Sequence, residues 1–265
     1  MGRSKFTSII VTYNSAGTIA NLLSDLHSAC PNGLVMVIDN ASTDQTIDIV
    51  NSQYPQVQLV RNAQNLGYAR AVNQGVECCD TDYVFILNPD IRIQSPRVIT
   101  KMVKWLDGSP ITGVTGPLQY KIKNGRKHLN FNCTYLGWRA FRGYLYYQRH
   151  HQWPSHKPLR VPLLNAGCIM IRRSAFIQIG GINPKYFLYG EDPDLGLKLH
   201  LYGYECWLLP SISVIHYREG SFRTLTAKQR WQIRWQAIGN ISHAFLTGWL
   251  RILFNKMPLN KTTSH

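Results

Sequence analysis

The stretch FTSIIVTYNSAGTIANLLSDLHSACPNGLVMVIDNASTDQTIDIV, Phe6 to Val50, decides how the rest of the chain is read. Phe6–Asn14 is a short run rich in β-branched residues that ends in polar side chains, the mark of a strand running into a loop. Ile19, Leu22, Leu23 and Leu26 then recur every three or four residues, the stripe of an amphipathic helix. GLVMVIDNAS is a second apolar strand, closing on Asp39 and Asn40. The helical pattern after it has an N-cap candidate in Ser42 or Thr43. VQLVRN, GYARAVNQGVECC and DYVFILNPD continue the alternation as strand, helix, strand. This rhythm predicts an α/β fold with a mostly parallel central sheet flanked by helices. Such sheets bind ligands beyond the carboxyl ends of their strands. Here those ends read Thr12-Tyr13-Asn14, Asp39-Asn40, Arg61-Asn62 and Asn88-Pro89-Asp90. Polar residues also simply mark loop starts, but four such ends in succession favour a ligand edge.

Charge is distributed unevenly. The chain has 29 Lys and Arg against 14 Asp and Glu in 265 residues, a formal charge of +15. No acid lies between Asp107 and Glu191, and none follows Glu219. The excess therefore belongs to the middle and the tail, and implies an anionic partner. The six cysteines, Cys30, Cys78, Cys79, Cys133, Cys168 and Cys206, show no C-x-x-C pair or framework spacing, so reduced thiols in a cytosolic protein are expected. The N-terminus reaches turn residues after one short apolar run, unlike a signal peptide. No apolar stretch is long enough to span a bilayer. A soluble or peripheral protein is expected.

Against this shortage of acids, Glu191, Asp192 and Asp194 fall within four positions, in YFLYGEDPDLGLKLHLYGY. Asp192-Pro193-Asp194 reads as a helix start, with proline at the first helical position and acids in the first turn. Leu195, Leu197, Leu199 and Leu201 alternate as in a strand, but the Tyr202-Gly203 stop favours the helix. Capping accounts for Asp194 and not for Glu191. Like charges so close raise one another's proton affinity, as a catalytic base requires. Asp90, just past the apolar strand YVFIL, and His216, ending SISVIHY, are side chains that suit Mg²⁺ or Mn²⁺. Taken singly, Asn88-Pro89-Asp90 also reads as a type I turn and His216 as an ordinary strand-end histidine. From Tyr120 to Arg160 aromatic and basic residues interleave, which fits either a clamp for a polyanion or sugar chain or a half-buried subdomain.

The stretches SIIVTYNSAGTIANLLSDL, VIDNASTDQT, NLGYARAVNQG, FILNPDI, NAGCIMIRR, YFLYGEDPDLGLKLHLYGY and VIHY, in this order from Phe6 to Tyr217, resemble the family-2 glycosyltransferases of GT-A fold. The resemblance is greatest to the rhamnosyltransferase branch of bacterial surface polysaccharide (O-antigen type) synthesis. It implies a Rossmann-like nucleotide-sugar half at about 1–118 and an acceptor and catalytic half at about 162–225. A basic aromatic insertion at about 119–161 separates them, all within a domain of 1–225. It further implies that Thr12, Tyr13, Asn14 and Asp39 hold the nucleoside, and that Asn65, Gly67, Arg70 and Asn73 lie along the nucleotide. Asn88-Pro89-Asp90 stands where the family has its D-x-D metal motif, with Asn88 in place of the first acid. Asp90 and His216 become the metal ligands. Asp192 is the general base of an inverting transfer, with Glu191 orienting it or the acceptor. Asn165 and Gly167 fall on the acceptor side. The implied partners are a nucleotide-diphosphate sugar, dTDP-rhamnose above UDP-hexoses, and a lipid-linked saccharide acceptor.

The tail, 226–265, reads as a basic amphipathic helix, with Trp231, Trp235, Ile238 and Ile241 at helical spacing. It suits an anionic membrane surface, which is favoured over a helix packed on the domain. The expected location is cytoplasmic, peripheral on the inner face of the plasma membrane. A nucleic-acid-binding module is the rival class, but it leaves Glu191-Asp192 without a role and has no nucleic-acid motif.

Overall fold

The computed structural model describes residues 4–129, 145–151, 153 and 155–217. The alternation read in the first hundred residues is present: β1 (Phe6–Thr12), α1 (Ile19–Ala29), β2 (Leu34–Asp39), α2 (Thr46–Gln53), β3 (Gln58–Arg61), α3 (Tyr68–Glu77) and β4 (Tyr83–Leu87). β3, β2, β1 and β4 lie side by side and parallel. β1 and β4 are buried along their whole length, so both sheet faces are covered and both strands read as continuous apolar runs.

The sheet then changes character. β5 (Ile91–Arg92) and α4 (Arg97–Asp107) lead to the long β6 (Thr112–Lys123), its hairpin partner β7 (Arg126–Leu129) and the short β8 (Leu159–Val161). β9 (Cys168–Arg172) precedes α5 (Arg173–Gln178), and α6 (Glu191–Leu201) precedes β10 (Glu205–His216). The full order is β3-β2-β1-β4-β9-β6-β10-β5, with β7 on β6 and β8 on β10. β9 runs antiparallel between β4 and β6, while β6 and β10 are parallel to each other. The sheet is thus mixed, and its parallel half is the one whose helical crossovers the sequence displays.

Side chains alternate across the sheet. Ile9, Val11, Met36 and Ile38 pack with α3, α5 and α6, whereas Ile10 and Val37 pack with α1, α2 and α4. Residues 145–150 are helical and lie over the inner face of the β6–β7 hairpin. There the Tyr147 ring sits 6.1 Å from that of Tyr120, and its hydroxyl accepts the Leu129 N–H at 3.0 Å. Part of the aromatic middle is therefore core, although Leu145 and Tyr146 are exposed. The basic tail lies outside the described residues.

Two local expectations are corrected. α2 begins at Thr46, and Asp44 supplies the oxygen that accepts the Thr46 N–H at 3.0 Å, while Ser42 turns to Asp39. α6 begins at Glu191, which places Pro193 third in the helix. Leucines four apart, Leu195 and Leu199, are its core contacts, and Leu197 is half-buried. Five cysteines, Cys30, Cys78, Cys79, Cys168 and Cys206, are free thiols. Among the described residues no helix is long and apolar enough to cross a membrane.

Candidate active site

At the carboxyl ends of β1 and β2 the polar residues hold one another. Asp39, fully buried, accepts the Thr12 hydroxyl at 2.8 Å, the Ser42 N–H at 2.8 Å and the Ser42 hydroxyl. Asn14 takes a left-handed conformation (φ 51°), and its amide oxygen accepts the Thr43 N–H at 2.8 Å. These bonds set the two loops in one arrangement and leave Tyr13 half-buried between them. Beside them, the Asn65 side chain accepts the Gly67 N–H at 2.9 Å. Gly67 has φ 83°, and a Cβ there would come within 2.7 Å of the Phe187 ring, so the close approach of this turn to the loop before α6 requires glycine. Arg70 is exposed in the first turn of α3. Asn73 is engaged within the fold. Both ends of its amide are used by the backbone of Ile182, at 2.7 and 3.0 Å, tying α3 to the same loop.

Three strand ladders assemble the second group. The β4–β9 pairing brings Gly167 opposite Asn88, whose N–H meets the Gly167 carbonyl at 2.9 Å. The β5–β10 pairing sets His216 against Ile91, leaving Asp90 Oδ1 3.3 Å from His216 Nε2. The β6–β10 pairing carries in Gln119, a residue the sequence reading passed over. Gln119 Oε1 lies 2.9 Å from His216 Nδ1, and Gln119 Nε2 donates to the Asn165 carbonyl at 3.3 Å. Because the amide nitrogen is committed to a carbonyl, Oε1 must accept, so Nδ1 carries the imidazole proton. Nε2 faces Asp90 and Asn88 Nδ2, the latter 3.4 Å away. A Cβ on Gly167 would stand 2.9 Å from the imidazole and 3.0 Å from the Asn88 amide, so nothing larger fits between them.

Asn165 links this group to α6. Its side chain donates to Asp192 Oδ2 at 3.1 Å, and the Ala166 N–H donates to Oδ1 at 2.7 Å. The Ala166 carbonyl accepts the Tyr68 hydroxyl at 2.9 Å. Tyr68 lies inside a motif quoted from the sequence, yet nothing in the pattern marked its side chain. Burial, then the Glu191 and Asp192 carboxyls, hold its phenol well above the ordinary range.

A profile described as "Glycosyl transferase family 2" matches residues 7–180. The chain belongs to glycosyl transferase family 2. It is 30% identical over 239 residues to the N-acetylglucosaminyl-diphospho-decaprenol L-rhamnosyltransferase of Mycobacterium tuberculosis, covering 80% of this chain and 76% of that one. Among solved structures it resembles GalNAc-T7 with UDP, GalNAc and Mn²⁺, at a TM-score of 0.69 and 14% identity. That match covers 92% of this chain and 48% of the other. It also resembles the mannosyltransferase PcManGT of Pyrobaculum calidifontis with GDP-Man and Mn²⁺, at a TM-score of 0.60 and 17% identity, covering 97% and 77%. The fold is GT-A, and the activity is glycosyl transfer.

In this glycosyltransferase the residues present suit a divalent cation. Asp90 and His216 are both at least 95% buried, and a carboxylate oxygen and an imidazole nitrogen face each other at 3.3 Å. Two cis ligands, each about 2.1 Å from a cation, lie roughly 3.0 Å apart, close to the 3.3 Å observed. Among the described residues no third His, Cys, Asp or Glu joins them.

The glycosyltransferase treats its two adjacent carboxyls differently. Asp192 is half-exposed, while Glu191 is buried and its Oε2 meets no hydrogen-bond donor among the described residues. Burial first, and the Asp192 charge second, raise Glu191 to about 8. The raised proton affinity expected of the crowded acids therefore falls on Glu191. Asp194 forms an ion pair with Lys198 one turn on, at 3.0 Å.

Proposed function

We propose that the enzyme transfers L-rhamnose from dTDP-rhamnose to a hydroxyl of a lipid-linked saccharide, with inversion at the anomeric carbon. The transfer would serve cell-surface polysaccharide synthesis at the inner face of the plasma membrane. The reading of donor and acceptor is supported by the name of the mycobacterial relative, an L-rhamnosyltransferase acting on a lipid-diphosphate-linked N-acetylglucosamine.

The contrast between Glu191 and Asp192 carries the mechanism. A general base needs a lone pair open to the acceptor. Glu191, raised to about 8, keeps its own proton at neutral pH and is buried. Asp192 is oriented by the Asn165 side chain and the Ala166 N–H and stays half-exposed, so an acceptor hydroxyl can reach its carboxylate. Asp192 accepts the proton of the acceptor hydroxyl as that oxygen attacks the anomeric carbon. The bond to the diphosphate oxygen breaks on the opposite face, and dTDP departs. Mg²⁺ or Mn²⁺, held by Asp90 and His216, would supply positive charge for the leaving diphosphate. The neutral Glu191 spares Asp192 a second negative charge beside it.

Asp192→Asn tests this reading. A positioned base contributes about 10²- to 10⁴-fold, so turnover of dTDP-rhamnose with a polyprenyl-diphospho-N-acetylglucosamine should fall by that much. Thermal stabilisation by dTDP should be retained. Turnover at the parental rate would remove Asp192 from the mechanism. Stabilisation by UDP in place of dTDP would change the donor to a UDP-hexose and keep the chemistry.

A further inference from the structure

β6 does not stop at the active site. Two residues beyond Gln119, about 7 Å along the strand, it enters a hairpin turned by Asn124 and Gly125, both with positive φ. The register is fixed: Lys123 stands opposite Arg126, and Lys121 opposite His128. Directly opposed residues share a face, so these four form a square on one side of the ribbon. Tyr120, Ile122, Lys127 and Leu129 occupy the other side, and Tyr147 packs there. All four members of the square are exposed, and none joins an ion pair among the described residues.

Like charges set directly opposite in a ladder destabilise it. The turn imposes that pairing on Lys123 and Arg126, with Lys121 two residues away on the same face, and no ion pair among the described residues relieves it. Such a face is relieved by an external anion. The helical segment 145–150 backs the opposite face of the ribbon, where it holds the hairpin through Tyr147. An exposed cluster of long cationic side chains at the end of a rigid ribbon suits the phosphate headgroups of an anionic lipid surface. We propose that the outer face of the β6–β7 hairpin docks the enzyme on an anionic lipid bilayer, seating headgroup phosphates on Lys121, Lys123, Arg126 and His128. This rests on the reading of a lipid-linked acceptor, and it places the bilayer contact at the end of the strand that supplies Gln119.

The test uses the full chain, with its basic tail intact, carrying K121Q, K123Q and R126Q together. Co-sedimentation is measured with phosphatidylcholine vesicles with and without phosphatidylglycerol, at low and high salt, and binding of a single-stranded oligonucleotide is measured in parallel. The parent should favour the anionic vesicles and lose them with salt, and the triple variant should bind them roughly tenfold or more weakly. Equal thermal stabilisation of both proteins by dTDP shows that the fold and donor site are unchanged. Parental vesicle binding by the variant would overturn the proposal and assign membrane contact elsewhere, as would failure of the parent to prefer anionic vesicles. Loss of oligonucleotide binding with vesicle binding retained would overturn it in favour of a nucleic-acid surface. If dTDP stabilises neither protein, the donor assignment fails while the vesicle comparison still decides the role of the hairpin.

Discussion

Asp39 and Glu191 are both buried carboxyls at the sheet's ligand edge, and the protein holds them in opposite ways. Asp39 receives hydrogen bonds from Thr12 and twice from Ser42. Glu191, 8% exposed, turns an oxygen into a space with no donor among the described residues. The first is a joint between two loops, over-determined so that the loss of one bond leaves the others. The second is a charge site kept under electrostatic stress, which the fold tolerates by keeping it neutral. The loops after β1 and β2 are built for fixed shape, and the start of α6 for adjustable charge.

Glu191→Gln would break that comparison most visibly. Below about pH 4.5 the folded and unfolded chains both hold this proton. Between there and about 8 the unfolded chain releases it and the folded chain does not, so stability falls as pH rises. Each pH unit costs about 1.4 kcal/mol, which accumulates to a few kcal/mol at alkaline pH. A neutral glutamine lacks this slope. Thermal melts from pH 5 to pH 9 should show the variant losing less stability than the parent, by several degrees at the alkaline end. Parallel slopes would show that Glu191 is not the stressed group.

Gln119→Leu addresses the link between the two halves with a smaller effect. Without Oε1 the His216 Nδ1–H has no fixed acceptor, and Nε2 is no longer held toward Asp90. Loss of such an outer hydrogen bond typically weakens metal binding about 10- to 100-fold. Calorimetric titration of Mn²⁺ into the protein with dTDP should show this separately from turnover. Unchanged Mn²⁺ affinity would reduce Gln119 to a packing residue.

The difference between the halves also governs what the sequence displays. β1 to β4 and their helices follow local periodicity, because each crossover completes its own amphipathic unit before the next strand begins. Thr12 and Asp39 were legible for the same reason, since strand ends in such units face the ligand edge. Between Ile91 and Gln119, α4 does carry a helical stripe in Val98, Ile99, Met102 and Leu106, whereas β5 and β6 give no comparable signal. The two residues of β5 are too few for a period, and β6 gains its meaning from β10, nearly a hundred residues away. Gln119 was invisible on that account. Its partner His216 was noticed through the apolar strand that ends on it, and Asp192 through the scarcity of acids around it. The direction of charge stress between Glu191 and Asp192 depends on which one α6 turns inward, a property of packing that no local pattern encodes.

The mildest test returns to Asp39. Thr12→Val replaces the buried hydroxyl with a methyl group of similar size, removing the 2.8 Å bond to Oδ1. The Ser42 hydroxyl still reaches that oxygen and the Ser42 N–H still holds Oδ2. No buried atom is stranded, so the loss should be near that of one ordinary hydrogen bond, about 1 kcal/mol. That is a fall in melting temperature of roughly 2–4 °C for a domain of this size. dTDP should stabilise the variant as it does the parent if the loops keep their arrangement through the remaining bonds. A much larger fall would mean that the loops depend on this single bond, and loss of the nucleotide effect at unchanged stability would mean that Thr12 itself contacts the nucleotide.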